Sequence, residues 1–159
     1  MDYDKEMNMS AVEFGNMPPG PFLLGLLSAF DNRFQAAADA FFKEITWKQF
    51  FAIICINLCK EPPTINELSD VMGSSHQNVK QILLRLEKKG FIATVADERD
   101  KRKQRIIVTD AARAFMEEND NNGEQSGRII GQIFDGIDEK SLSTTIRTIM
   151  KMERNLSKI

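Results

Sequence analysis

Histidine, cysteine and long apolar runs are all scarce in this chain, and each scarcity removes a class of function. His76 is the single histidine, and Cys55 and Cys59 are the two cysteines, among 159 residues. A dedicated zinc site needs a Cys/His cluster, and none is present. Two cysteines do not make a disulfide framework. No nucleophile–base pair, glycine-rich phosphate loop or metal cluster stands out, so the chain reads as a non-enzyme with no cofactor. The longest apolar runs, Pro21–Phe30 and Phe50–Ile56, fall far short of the about 20 residues that span a bilayer. The opening Met1-Asp-Tyr-Asp-Lys-Glu is acidic and lacks the basic-then-apolar order of a signal peptide. The expectation is a soluble, cytoplasmic protein with no membrane attachment. With 42% hydrophobic residues, the chain can bury one compact core.

Cys55 and Cys59 are four apart in an apolar helical stretch and share one helix face. The plain reading makes them small buried hydrophobes. The alternative is a thiol-based redox sensor. A reactive thiol needs an exposed, electropositive setting, and Phe50–Leu58 offers neither.

Charge of one sign is also missing overall: the net is −2. Its distribution is uneven. Ser74–Arg105 carries nine Lys/Arg against four Asp/Glu, a net of +5, which leaves −7 for the rest. One basic patch on an acidic molecule can hold phosphates while the remainder repels them.

Residues 1–17 are polar, Met-rich and aperiodic, and read as a flexible N-terminal arm. Pro18-Pro19-Gly20-Pro21 punctuates a helix start, and Leu23, Leu27, Phe30, Phe34, Ala37 and Phe41 then recur at helical spacing. Thr46-x-x-Gln49 is a capping box ahead of a second helix over Phe50–Lys60, which Pro62-Pro63 ends. Thr64-x-x-Glu67 opens a third helix and Gly73 stops it. Ser74-Ser75 caps a fourth, with Val79, Ile82, Leu83 and Leu86 apolar. Phe91–Ala96 and Gln104–Val108 read as two strands around a polar turn. Thr109-Asp110 caps a further helix, broken near Asn119–Gly123. Ile129, Ile130, Ile133 and Phe134 resume the helical pattern, and Ser141 caps a last helix bearing Leu142, Ile146, Ile149, Met150 and Leu156.

Two short helices meeting at Gly73 have helix-turn-helix spacing. The second begins Ser74-Ser75-His76-Gln77-Asn78-Val79-Lys80, polar and short-chained before its apolar stripe starts. A helix entering a major groove by its N-terminal end needs this order, because its first side chains must meet base edges and its N-terminus favours phosphate. Gln77 suits adenine and Lys80 suits phosphate. Each residue also has a plainer role: Ser74 as the helix cap, Asn78 as a turn stabiliser, His76 as a solvated or packed histidine. The set is stronger than its members because a basic hairpin follows, with Arg99, Asp100, Lys101, Arg102 and Lys103 at its turn. Such a run is usually a solvated turn; after a recognition helix it reads as a wing, whose arginine can enter the minor groove. Asp100 is expected to pair with a neighbouring arginine. The fold class is therefore mainly α with a small β wing, and its function is binding of double-stranded DNA.

Gln77–Ile92 (QNVKQILLRLEKKGFI), Asp100-Lys101-Arg102 and Ile106-Ile107-Val108-Thr109 together resemble the MarR family of bacterial regulators. The likeness covers roughly residues 20–157; the wing and the Leu-Glu-Lys-Lys-Gly turn are its specific parts. Ser74–Asn78 and Lys80 match the start of the family's recognition helix, and Asp100 and Arg102 its wing tip. Thr94 departs from the basic residue often found on the first wing strand, which leaves Lys103 or Arg105 to replace that phosphate contact. The resemblance implies a winged helix-turn-helix over 46–110 with N- and C-terminal dimerisation helices, in 18–45 and in 111–159. It implies a homodimer reading an inverted repeat with half-sites about 34 Å apart, acting as a transcriptional regulator, usually a repressor. Lone apolar stripes on the outer helices ask for a partner in the same way. In the family, small phenolic or lipophilic effectors bind between the dimer helices and the DNA-binding lobe. Phe30, Phe34, Trp47, Phe50 and Phe51 are the corresponding aromatics here, with simple core packing as the alternative. An adaptor that binds protein rather than DNA is a further alternative; the polar helix start and intact basic wing speak against it.

Overall fold

A computed structural model describes residues 14–42, 44–121 and 130–159. Along the described chain run α1 (Pro19–Phe41), α2 (Trp47–Leu58), α3 (Ile65–Met72), α4 (His76–Lys88), β1 (Ile92–Ala96), β2 (Gln104–Val108), α5 (Asp110–Asn121) and α6 (Glu139–Leu156). They divide into two compact units, one up to Thr109 and one from Asp110.

In the first unit, Pro19 stands at the first position of α1, where its missing N–H costs nothing. Both expected capping boxes close. Thr46 accepts from the Gln49 N–H and Gln49 Oε1 accepts from the Thr46 N–H; Thr64 and Glu67 do the same for α3. Gln49 is buried, so its amide is held inside the fold as well as spent on the cap. The Trp47 N–H, at the start of α2, donates to Asp39 Oδ1 of α1 at 2.5 Å.

The helices α2, α3 and α4 pack on one another, and the hairpin closes the group through β1 on α4 and β2 on α2 and α3. Ile53, Leu68, Val79 and Leu86 are almost wholly out of water. Each such side chain contributes on the order of 1.5–3 kcal/mol by burial. Gly73 ends α3 at φ 59°, a left-handed turn that a Cβ strains, and this lets α4 start three residues later. The antiparallel hairpin pairs Ile92 with Val108 and Ala96 with Gln104.

Several boundaries move from the sequence expectation. The second helix ends at Leu58, not Lys60. Phe91 stays outside the strand because its N–H donates to the Leu86 carbonyl of the helix end. Ser75, not Ser74, caps α4 by accepting from the Asn78 N–H. Thr109 spends its hydroxyl on the Gly90 carbonyl, 2.6 Å away, instead of capping α5.

In the second unit, α5 runs on through Asn119 to Asn121, and residues 130–133 are helical. Asp138 caps α6, accepting from both the N–H and the hydroxyl of Ser141; Ser141 is therefore inside the helix and not its cap. No residue of α6 is buried. The expected arm over 1–13, and the break and pattern at 122–129, lie outside the described residues. Among those described, no helix is long and apolar enough to cross a membrane.

Candidate nucleic-acid interface

The N-terminal end of α4 is a polar, open surface. Ser75, His76, Gln77, Asn78 and Lys80 are exposed and Ser74 is half-buried, while Val79 turns inward to the core. Asn78 Nδ2 donates to Ser74 Oγ at 2.8 Å, so these two side chains brace the turn. The first turn of α4 has no acidic residue, and Arg85 and Lys88 lie in its last turn. The positive end of the helix dipole is thus left unneutralised, which favours an anion there. His76 and Gln77 have the freest position, on the first exposed turn beyond the cap.

The hairpin turn is built on a residue that motif reading passed over. Asp97 Oδ1 accepts from the N–H groups of Arg99 (2.7 Å) and Asp100 (2.9 Å), and Asp97 Oδ2 accepts from Arg105 Nε (2.5 Å). The Arg105 guanidinium and these two N–H groups hold the Asp97 carboxyl down at about 2. Arg105 Nη1 reaches the other way, to Pro62 O and Glu67 Oε2, each at 3.0 Å. Its pKa rises, chiefly from the Asp97 hydrogen bond. Arg105 is therefore engaged by two carboxylates and is poorly placed to supply the phosphate contact expected of it. The Glu67 carboxyl is lowered mainly by the Thr64 N–H of the capping box and then by the Thr64 hydroxyl.

At the tip, Asp100 Oδ1 accepts from the Arg102 N–H (3.1 Å) and lies 3.7 Å from Arg102 Nε. This is the neighbouring-arginine pairing expected of Asp100. Lys101, Arg102 and Lys103 project as exposed cations. Arg99 bends back toward Glu61, with Nη2 3.8 Å from Oε1. Both partners are largely in water, where such a pair is worth about 0–1 kcal/mol, so Arg99 remains free to exchange partners.

A cleft of about 380 Å³ opens beside the recognition-helix start. Phe34, Trp47 and Phe51 form its aromatic side; Lys48 and Asp31 add charge; Gly73, Ser74 and Asn78 close it at the turn. Of the five aromatics singled out in the sequence, Phe30 and Phe50 do not line it. Phe30 is 52% exposed and stacks on Phe34, and Phe50 packs on Phe42 with centroids 4.7 Å apart. Trp47 meets Phe34 edge-on at 4.7 Å and stacks on Phe51 at 6.1 Å.

Cys55 is buried, and burial, with the neighbouring Cys59 second, pushes its thiol pKa up. Cys59 Sγ donates to the Cys55 carbonyl at 3.2 Å. Both are free thiols.

Two short helices at a glycine turn, a polar uncapped-by-acid helix start and a cationic hairpin define a winged helix-turn-helix DNA-binding protein. The comparisons place it more closely. Residues 45–103 match the MarR family model, and the chain is a transcriptional regulator of that family. The same architecture recurs in solved structures. A MarR/EmrR family transcriptional regulator from Acinetobacter sp. ADP1 superposes with TM-score 0.76 at 14% identity, covering 90% of this chain and 100% of that one. MepR of S. aureus, solved in complex with DNA, gives 0.69 at 17% identity, over 82% of this chain and 94% of that one. BpsR of Bordetella bronchiseptica, whose DNA binding is regulated by 6-hydroxynicotinic acid, gives 0.69 at 19% identity, over 89% and 97%. At these identities the structural likeness establishes a common fold.

Proposed function

We propose that this chain is a cytoplasmic, ligand-responsive repressor that acts as a homodimer on an inverted-repeat operator. In this reading Gln77, with Ser75 and His76, meets base edges in the major groove, and Lys80 meets phosphate. Lys101, Arg102 and Lys103 follow the backbone and minor groove from the wing, with Arg99 joining when it leaves Glu61.

The observation that carries the ligand-responsive part is the double membership of Ser74 and Asn78. They belong to the turn that launches the recognition helix, bonded to each other, and they also line the aromatic cleft. A molecule in the cleft that competes for either side chain changes how α4 is launched. A ligand shifts DNA affinity only by its differential affinity for the two arrangements. The cleft suits a small planar aromatic: Trp47 and Phe51 offer ring faces, and the Lys48 ammonium suits a carboxylate or phenolate. The regulation of BpsR by a hydroxylated aromatic acid belongs to the same chemical class.

The test is a titration of the DNA upstream of the protein's own gene against random duplex at moderate salt. At least about a thousandfold preference for the upstream DNA is expected. Equal binding of the two contradicts a specific regulator and favours the adaptor alternative. Trp47, the only tryptophan, supplies the ligand readout in the same experiment. Salicylate or 6-hydroxynicotinate at millimolar concentration is expected to change Trp47 fluorescence and to weaken operator binding together. A change in neither overturns the effector assignment. The buried, raised-pKa Cys55 gives the redox alternative no support.

A further inference from the structure

Arg105 is the one side chain that ties the wing to the first helix of the helix-turn-helix. Its Nε is held by Asp97 at the wing's base, at 2.5 Å, and its Nη1 by Glu67 Oε2 and Pro62 O on the other element, each at 3.0 Å. Its side chain is 20% exposed, and that of Asp97 is 9% exposed. Glu67 is itself fixed: the same Oε2 accepts from the Thr64 N–H at 2.7 Å and from the Thr64 hydroxyl at 3.0 Å, closing the cap of α3. One carboxylate thus defines both the start of α3 and the seat of the wing. The backbone adds one parallel link, from the Ile106 N–H to Pro63 O at 2.9 Å.

The hairpin needs such a hold. A two-stranded ribbon is marginal on its own, and this one has only five residues a strand. Its tip cations are useful only if they arrive at a fixed place relative to α4. A guanidinium can point two donors in two fixed directions at once, while an ammonium is a single point charge. The two carboxylates also occupy the charge of Arg105, which keeps it from phosphate.

We propose that Arg105 is a positioning residue for DNA recognition: with Asp97 and Glu67 it sets the wing against the helix-turn-helix and makes no phosphate contact of its own. The inference rests on the DNA-binding reading, and the test separates the two. Operator affinity is measured by fluorescence anisotropy across a salt series for the full chain and for Arg105→Gln, Arg105→Lys and Glu67→Gln. Arg105→Gln is expected to weaken specific binding by about tenfold or more, while the slope of log affinity against log salt stays as in the wild type. Arg105→Lys keeps the charge yet is expected to recover little of that loss. Glu67→Gln is expected to weaken binding in the same sense, although it removes a negative charge. A slope shallower by about 0.9 in Arg105→Gln, the mark of one lost phosphate contact, overturns the proposal, as does full recovery by lysine. A second readout needs no DNA. Trypsin cleavage after Arg99, Lys101, Arg102 and Lys103 is timed in the wild type, Asp97→Asn and Glu67→Gln. Several-fold faster cleavage in both variants is expected, and unchanged rates in both overturn the clamp even if the wild type binds no DNA.

Discussion

Ser74 and Ser75 stand side by side with the same hydroxyl, and geometry gives them different work. Ser75 has extended backbone and accepts from the Asn78 N–H at 3.3 Å, so it caps α4; Ser74 accepts from the Asn78 side chain. Ser75→Ala is expected to cost about 1 kcal/mol in chemical denaturation, the usual loss for a helix cap. Ser74→Ala should cost less than half of that, because its bond is exposed and side chain to side chain. Equal costs contradict the assignment. From sequence either serine satisfies the cap pattern, and likewise Asp138 and Ser141 both fit the start of α6. Only backbone direction decides between them. Asp97 carries a second prediction at this scale. Its carboxyl titrates at about 2 in the fold against an ordinary 3.8. A lowered folded-state pKa adds stability above the unfolded value and loses it as pH falls through the folded one. The stability difference between the wild type and Asp97→Asn should therefore be flat above about pH 5 and shrink from near pH 4 down to about 2. A difference that stays constant through that acid range would count against the Arg105 bond.

At the scale of elements, the features fixed by near neighbours were readable in advance. Thr46-x-x-Gln49 and Thr64-x-x-Glu67 are local patterns, and both boxes close as their spacing implies. The strand Gln104–Val108 and the glycine stop at Gly73 are equally local. The Arg105–Glu67 bond joins residues 38 apart in the chain. No spacing rule reports such a pair, so Arg105 read as a spare cation. The cleft escaped full reading for the same reason. Phe30, Phe34, Phe50 and Phe51 share a composition, but only packing shows which of them faces Ser74. The outer helices carry the third prediction. On α6, Ile146, Met150 and Leu156 are 49%, 52% and 64% exposed, and on α1, Leu24 and Phe30 are exposed too. Apolar side chains in water at helical spacing are what a second copy would cover. Sedimentation of the wild type at micromolar concentration should give a dimer. The double substitution Ile146→Glu with Met150→Glu should weaken it by about a hundredfold or more, from two lost burials of roughly 1.5–3 kcal/mol each. A mass unchanged by the double substitution would remove α6 from the interface.

Across the whole molecule, charge and fold agree. The net −2 conceals a +5 segment over Ser74–Arg105, and the structure sorts its members. Arg105 is consumed internally and Arg99 is lightly held, whereas Lys80, Lys101, Arg102 and Lys103 stand exposed. The family match over residues 45–103 falls on this same region. The central claim is that the α4 start reads bases while the wing follows the backbone. One titration tests it most directly: operator and random duplex, each across a salt series, against the wild type, Gln77→Ala and Arg102→Ala. Gln77→Ala should cost about 1–3 kcal/mol on the operator, confined to one base pair of each half-site, with little change on random DNA. Arg102→Ala should weaken both duplexes alike and make the salt slope shallower by about 0.9. Affinities for both duplexes that neither substitution moves would contradict the account.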